Sequence, residues 1–463
     1  MQAQQALSQH QKMTEKSIPS LMFHLGLPSA VAMIVTALYS LADALYVSAL
    51  GTESGAAVGI SFAIQATIQA ISYTLGVGGG SLLSRKLGEK DRDSASRVSQ
   101  LSFILSIFAG IAIMCIGLAW GDGLILALGA TETILKPALV YSRYLLLSAP
   151  FMCGSFVCSQ LLRAEGKAVY SMIGLLCGSL LNIVLDPILI YRFNYGIAGA
   201  SLSTLISQVV CFATLLSAYV FKKSQIQLFS GFSFAEFRKA GKILVAGLPS
   251  AGRQGLSALA TILLNHATAS WGDAAIAAMS AVNRLFLLAF AFCLGIGQGM
   301  MPITGYNFGF GRYERVKKTF LIAWLFSSLL MLLLSIPFLA FPAFFIKLFR
   351  DDPAVIAIGT PALRAVGTVL TLHGTITCTN MLLQSIGKQF GATVLACARQ
   401  GFFFLPLLFL LTNQFGIQSL IYVQPISDAL TFLFSLPFIY HILRFLKEKT
   451  PDYAVSHKDI NCV

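Results

Sequence analysis

Apolar stretches long enough to cross a bilayer recur along this 463-residue chain and leave it little choice of fold. A membrane-spanning helix needs roughly 20 predominantly apolar residues. Segments of about that length or more lie at 24–50, 55–82, 98–120, 138–162, 169–191, 197–221, 243–270, 275–303, 319–346, 356–384, 391–412 and 417–441. In hydrocarbon every backbone polar group must be bonded within the chain, so each segment is expected to be a helix. Composition agrees: 56% of the residues are hydrophobic and 11% are charged, against about 25% charged in a soluble domain. The expected fold class is an all-α integral membrane protein with 12 transmembrane helices.

The formal charge of +13 invites a nucleic-acid reading, but the basic residues sit in short clusters between the apolar runs. Connections after even-numbered spans, with both terminal segments, carry 23 of the 32 Lys and Arg residues. The opposite connections carry only Lys136, Arg192, Lys347 and Arg350. Basic loops stay on the cytoplasmic side, so both termini are expected there, in a multi-pass plasma-membrane protein (the inner membrane in a bacterium). No nucleic-acid partner is expected. The nine cysteines lie mostly within apolar runs, as do Cys115, Cys177 and Cys293, and no CxxC spacing occurs. Neither a disulfide framework nor a metal site is expected. The first 20 residues are polar and read as a tail, without the apolar core of a signal peptide.

The chain also repeats itself. Gly26-Leu27-Pro28-Ser29-Ala30 returns as Gly247-Leu248-Pro249-Ser250-Ala251, and the same interval carries Gly76-Val77-Gly78 onto Gly297-Gln298-Gly299. It also carries Gly166-Lys167 onto Gly387-Lys388. Six spans per half keep both halves in one orientation, so a pseudo-twofold axis is expected along the membrane normal. That is the parallel-repeat plan of secondary transporters, with a binding site between or within the halves. The expected organisation is a cytoplasmic tail at 1–23, an N-terminal six-helix lobe at 24–221, a linker at 222–242, a C-terminal lobe at 243–445 and a second tail at 446–463.

An ionisable residue inside a span is costly and marks a functional site by default. Asp43 in the first span and Asp186 in the fifth meet that description. Asn182 shares a helical face with Asp186 at i and i+4. At 1.5 Å per residue, Asp43, Asp186 and Thr204 lie ~10, ~8 and ~10 Å inside the same side of the membrane. One polar site in the N-terminal half is therefore expected; the bland alternative makes Asp186 and Pro187 a helix cap and Asn182 interhelical glue. In the second half Leu264 and Leu405 replace the two aspartates. Its own polar set is Arg253, Gln254, Asn283, Arg284, His373, Asn380, Arg399 and Asp428. Arg399 and Asp428 are expected to form a structural ion pair, and His266 and His373 to be packing residues. The glycines of Gly76-Val77-Gly78-Gly79-Gly80 read as helix-packing positions, since GxxxxGK[ST] is absent and no strand precedes them. No cofactor is expected, nor an ATP-binding domain on this chain, so transport would be driven by an H+ or Na+ gradient. HExxH and any paired catalytic motif are absent, which argues against an enzyme.

These residues resemble the multidrug and toxic compound extrusion (MATE) family over roughly 20–445. The resemblance rests on the two Leu-Pro-Ser motifs, on Leu41-Ala42-Asp43 with Val47 through Gly51, on Leu162-Arg163-Ala164-Glu165-Gly166, and on Asn182 through Pro187. Leu248 through Gln254, Gly272 through Met279 and Asn283-Arg284 look like the DinF-like and MepA-like branch. The resemblance implies two six-helix lobes that open alternately to either side, exporting amphiphilic compounds against proton or sodium entry; a monomer is expected, although no sequence feature sets the oligomeric state. It places ion coupling at Asp43, Asn182 and Asp186, with Tyr39 and Thr204 beside them. Two departures stand out. Helix 4 often adds an asparagine, for which Ser159 and Gln160 are the nearest candidates. Some relatives carry a glutamate in helix 7 where this chain has Ser257. A flippase for lipid-linked saccharides, in the same superfamily, is the nearest alternative, and a specific metabolite exporter another. A flippase would be expected to line its cavity with basic residues.

Overall fold

A computed structural model describes residues 2–128, 130, 132–221, 223–228, 234–269 and 272–450. The helices run α1 (Gln2–Glu15), α2 (Ile18–Ser48), α3 (Thr52–Gly88), α4 (Arg92–Ala127), α5 (Glu132–Ala164), α6 (Ala168–Pro187), α7 (Gly196–Val220) and α8 (Ala240–Ala269). They continue as α9 (Asp273–Gly309), α10 (Tyr313–Ala340), α11 (Pro342–Lys347), α12 (Pro353–Val369), α13 (Leu372–Ser385), α14 (Gln389–Cys397), α15 (Leu405–Phe415) and α16 (Ile417–Lys449). Two π-helical segments, Ile188–Arg192 and Ala398–Phe404, extend α6 and join α14 to α15. Both adjoin a proline, Pro187 and Pro406, whose missing N–H interrupts the α-helical ladder.

The long helices are built inside out relative to a soluble protein. On α10, Thr319, Ala323, Ser327, Met331 and Ser335 are buried, while Leu325, Leu329, Leu333 and Ile336 are exposed. On α4, Ser99, Ser102, Ser106 and Gly110 face inward, and Phe108, Ile111 and Ile116 outward. Small and hydroxylic residues let helices approach closely, and the large apolar side chains suit lipid.

Among the described residues, 10 helices are long and apolar enough to cross a membrane, and the pair α12–α13, bent by 53°, makes up to 11. The seventh expected span, α8, has 30 residues but is not among them. Arg253, Gln254, Asn265 and His266 lower its hydropathy. The first span starts earlier than expected, at Ile18 with a proline in its first turn, and the polar segment before it is helix α1 rather than a plain tail. The expected linker holds a 3-10 helix, Phe234–Lys239, and α8 begins at Ala240; residues 222 and 229–233 lie outside the described ones. Helix α16 runs on to Lys449, and the remaining tail at 451–463 lies outside the described residues.

Backbone conformation repeats with the sequence. Positive φ occurs at Gly51 and Gly272, at Gly166 and Gly387, and at Gly196 and Gly416, each pair in equivalent loops. Lys90 (φ 63°) is matched by Gly311 (φ 82°), so the loop geometry persists even where the first half has a side chain. Helices α2–α7 pack on one another, as do α8–α16. The halves meet chiefly through α2 on α9 and α3 on α8. Because α2 is equivalent to α8 and α3 to α9, these two contacts are images of each other. The glycine contacts between halves lie in the part of each helix nearer the chain termini, and the polar Gln69–Gln254 bond is farther along.

Candidate functional site

The structure assembles one polar cluster from α2, α5, α6 and α7. Asp186 is fully buried near the end of α6 and accepts a bond from the Ser203 hydroxyl on α7. Asn182, one turn earlier, reaches Ser203 Oγ at 3.1 Å and Thr204 Oγ1 at 3.4 Å. Turned about χ2, its amide instead donates to Asp186 Oδ2 at 3.2 Å and accepts from Ser203 Oγ at 3.1 Å. An amide oxygen facing a carboxylate is repelled, so the turned orientation is the favoured one. Asp43 approaches from α2. Tyr141 on α5 donates to its Oδ2 at a long 3.5 Å, and its Oδ1 is buried with no hydrogen-bond partner among the described residues. The two carboxylates lie within electrostatic reach of each other, and buried Tyr39 within reach of both.

Asp43, Asn182, Asp186, Tyr39 and Thr204 are thus brought together. Tyr141 and Ser203 were not foreseen. Ser203 was legible as the neighbour of Thr204, whereas Tyr141 is an outer residue of its span and carries no local signal. Ser159 and Gln160, expected as the helix 4 contribution, lie elsewhere. Ser159 shares a hydrogen bond with Ser171 at 2.7 Å and accepts one from Arg163 at 3.1 Å. Gln160 packs beside Gly76 with its amide nitrogen buried and without a partner among the described residues. Tyr141 sits about 27 Å farther along the same helix, at the level of the aspartates.

A second polar group occupies the C-terminal half. Asp428 is fully buried and accepts from Arg399 Nε at 2.7 Å and Gln424 Nε2 at 2.8 Å, with His373 Nε2 at 3.0 Å. The guanidinium of Arg399 lies over the rings of Phe286 and Phe290, at 4.8 and 5.6 Å. The expected Arg399–Asp428 pair forms, and His373 joins it. Asn380 bonds the Ala392 carbonyl at 2.7 Å, as interhelical glue. Gln254 bonds Gln69 across the two halves at 3.3 Å. Asn283 and Arg284 sit on α9 outside this network. Leu264, equivalent to Asp43, belongs to an apolar group with Ala260 and Leu408.

Bilayer-length helices in two repeated halves, closed around a carboxylate pair inside the span, define a membrane transporter. The chain belongs to the MatE family: that family's model matches residues 28–188 and again 249–410, beginning at the two prolines that anchor the repeat. It is 29% identical to the multidrug export protein MepA of Staphylococcus haemolyticus (strain JCSC1435), over 92% of this chain and 94% of that one. It is 28% identical to the MepA of Staphylococcus aureus (strain MRSA252), over 90% and 93%. Among solved structures it resembles a MATE transporter in complex with MaL6, with TM-score 0.88 and 27% identity over 94% of this chain and 99% of the other. An outward-facing multidrug resistance MATE transporter of the MOP superfamily superposes with TM-score 0.87 at 27% identity, over 95% and 98%.

Proposed function

We propose that this protein is a secondary active multidrug efflux antiporter, exporting amphiphilic, chiefly cationic compounds in exchange for H+ or Na+. The observation that carries the reading is the uneven bonding of the two N-lobe carboxylates. Asp186 is held by Ser203 and Asn182, whereas Asp43 has one weak bond and one buried oxygen without a partner among the described residues. Two like charges in a medium of low dielectric repel each other, and a proton or a small cation at Asp43 relieves that repulsion.

In this reading the ion arrives from outside at Asp43 and Asp186. Its charge cancels the attraction for a cationic substrate and changes the bonds among α2, α6 and α7. Helix α2 then shifts, with Pro28 as the hinge, and the substrate leaves outward. The ion leaves inward and the site is restored. Tyr39 offers a ring face to a lipophilic cation. The termini lie on the cytoplasmic side, where the halves are in contact.

The test is Asp43→Asn in inverted vesicles. Loss of gradient-driven dye uptake, with protein levels maintained, is the expected result. Uptake at the wild-type rate removes Asp43 from the coupling site. Liposomes under separate proton and sodium gradients identify the ion.

A further inference from the structure

The coupling site leaves a set of intramembrane charges without a role. Arg253 lies midway along α8, too far from either helix end to snorkel to an interface. It is partly exposed, and its guanidinium has no hydrogen bond or ion pair among the described residues. Gln69, Tyr73, Arg253 and Gln254 are all partly exposed although they lie mid-span where the halves meet. These polar side chains keep some accessible surface where α3 and α8 meet.

A second guanidinium group, that of Arg399, lies within range of Arg253, and Arg163 stands farther off, in the last turn of α5. Tyr73 of α3, its ring 4.2 Å from that of Phe156, lies within electrostatic range of both Arg253 and Arg163. Arg163 is 2% exposed and bonds only the hydroxyls of Ser159 and Ser171, and its Nη1 has no partner among the described residues. Beside Arg399, α8 abuts α14 so closely that a methyl group on Gly252 would stand 2.9 Å from Cys397 Sγ. The Nη2 of Arg399 also lacks a partner among the described residues. Against the positive charges of Arg253 and Arg399 stands the carboxylate of Asp428, already shared by Arg399, His373 and Gln424.

Unbalanced charge in the membrane interior is expensive and is retained for a purpose. A guanidinium fork matches a carboxylate in a bidentate way that an ammonium cannot. We propose that Arg253, backed by Arg399 and flanked by Tyr73, is a subsite for the acidic group of a soluble amphiphile, a carboxylate foremost. The inference rests on the reading of this protein as an amphiphile exporter. It assigns the acidic end of a zwitterionic substrate to Arg253.

The experiment uses purified full-length protein and two dyes, a rhodamine zwitterion with a free carboxylate and its methyl ester, a cation. In wild type both bind. Arg253→Gln is expected to weaken the zwitterion about tenfold, the scale of one lost charged hydrogen-bonding pair. It binds the ester as tightly or more tightly, because a repelling charge has gone. That retained binding also shows that the variant is folded. Arg253→Lys recovers part of the zwitterion affinity. Equal losses for both dyes, or no loss for either, overturn the subsite. If wild type binds the ester but not the zwitterion, the subsite falls and the efflux reading stands; if it binds neither, both fall. Nanodiscs with and without phosphatidylglycerol separate the sources of the acid. Competition by that lipid, abolished in Arg253→Gln, overturns the assignment to a soluble compound in favour of a lipid head group.

Discussion

Gly78 of α3 lies against Gly247 of α8, backbone on backbone: a methyl group on Gly78 would stand 2.8 Å from the Gly247 amide nitrogen. A methyl on Gly247 would stand 2.7 Å from the Cα of Thr74. The repeat carries this pair onto Gly299 and Gly26, where a methyl on Gly299 would meet the Leu25 carbonyl carbon at 2.9 Å. The two halves therefore share one contact, used twice. Gly78, Gly247 and Gly299 have no room for a side chain because their neighbours are main-chain atoms that cannot rotate away, whereas at Gly26 the nearest atom is the Ile296 Cα at 3.9 Å.

Gly247→Val is expected to lower stability by about 1–3 kcal/mol, the usual cost of overpacking. Thermal unfolding in detergent reads this directly. Gly255→Val, on the same helix but with nothing within 4 Å of the added carbon, is the control and should melt close to wild type. Equal melting of the two variants would show that the halves do not need the close approach.

The buried ion pair of the C-terminal half gives a second expectation. Asp428→Asn leaves Arg399 and His373 without their shared acceptor charge. Breaking one side of a buried pair costs about 3–5 kcal/mol, whereas replacing both partners costs far less. Arg399→Met combined with Asp428→Leu should therefore melt above Asp428→Asn alone. A double-mutant cycle on thermal stability measures the coupling, and additive losses would mean that the pair contributes nothing beyond packing.

Helix α1 supplies the pH dependence. It ties the halves together. Gln9 Nε2 donates to the Glu165 carbonyl at 3.1 Å, Asn307 Nδ2 to the Met13 carbonyl at 3.2 Å and Arg312 Nη1 to the Thr14 carbonyl at 2.6 Å. His10 packs edge-on to Phe310 at 4.8 Å with its Nε2 buried and without a partner among the described residues. Burial lowers its pKa, and the nearby charges of Lys90 and Arg312 push the same way, against a bond to the Gly88 backbone and the charge of Glu15. The docked helix therefore prefers the neutral ring. Its docking is fully present above the ordinary histidine value of about 6.5 and is lost as pH falls toward the lowered one. Protection of residues 2–15 against hydrogen exchange, taken relative to the intrinsic rate at each pH, should fall on acidification in wild type. In His10→Phe, which keeps the ring and cannot be protonated, it should not. The same acid response in both would place the sensor elsewhere.

Much of this was readable from local properties of the chain. Hydropathy runs marked the spans, glycine and proline punctuation marked the repeat, and the cost of Asp43 and Asp186 in lipid singled them out. Arg399 and Asp428 could be paired because intramembrane charges need partners. His373, Ser203 and Tyr141 could not be placed, since their roles depend on the rotation of one helix against another.

What the sequence determined by itself was a twelve-segment duplicated membrane protein with Asp43 and Asp186, the intramembrane carboxylates that have no basic partner in sight, in the first half. Those are consequences of composition and spacing along single helices. Tertiary structure decided that Tyr141 rather than Ser159 meets Asp43, that the polar segment before Ile18 is a helix joining the halves, and that Arg253 and Arg399 approach each other mid-span. Each depends on tilt, rotation and depth where helices pack. Those quantities are set by contacts between residues tens to hundreds of positions apart, which no local pattern records.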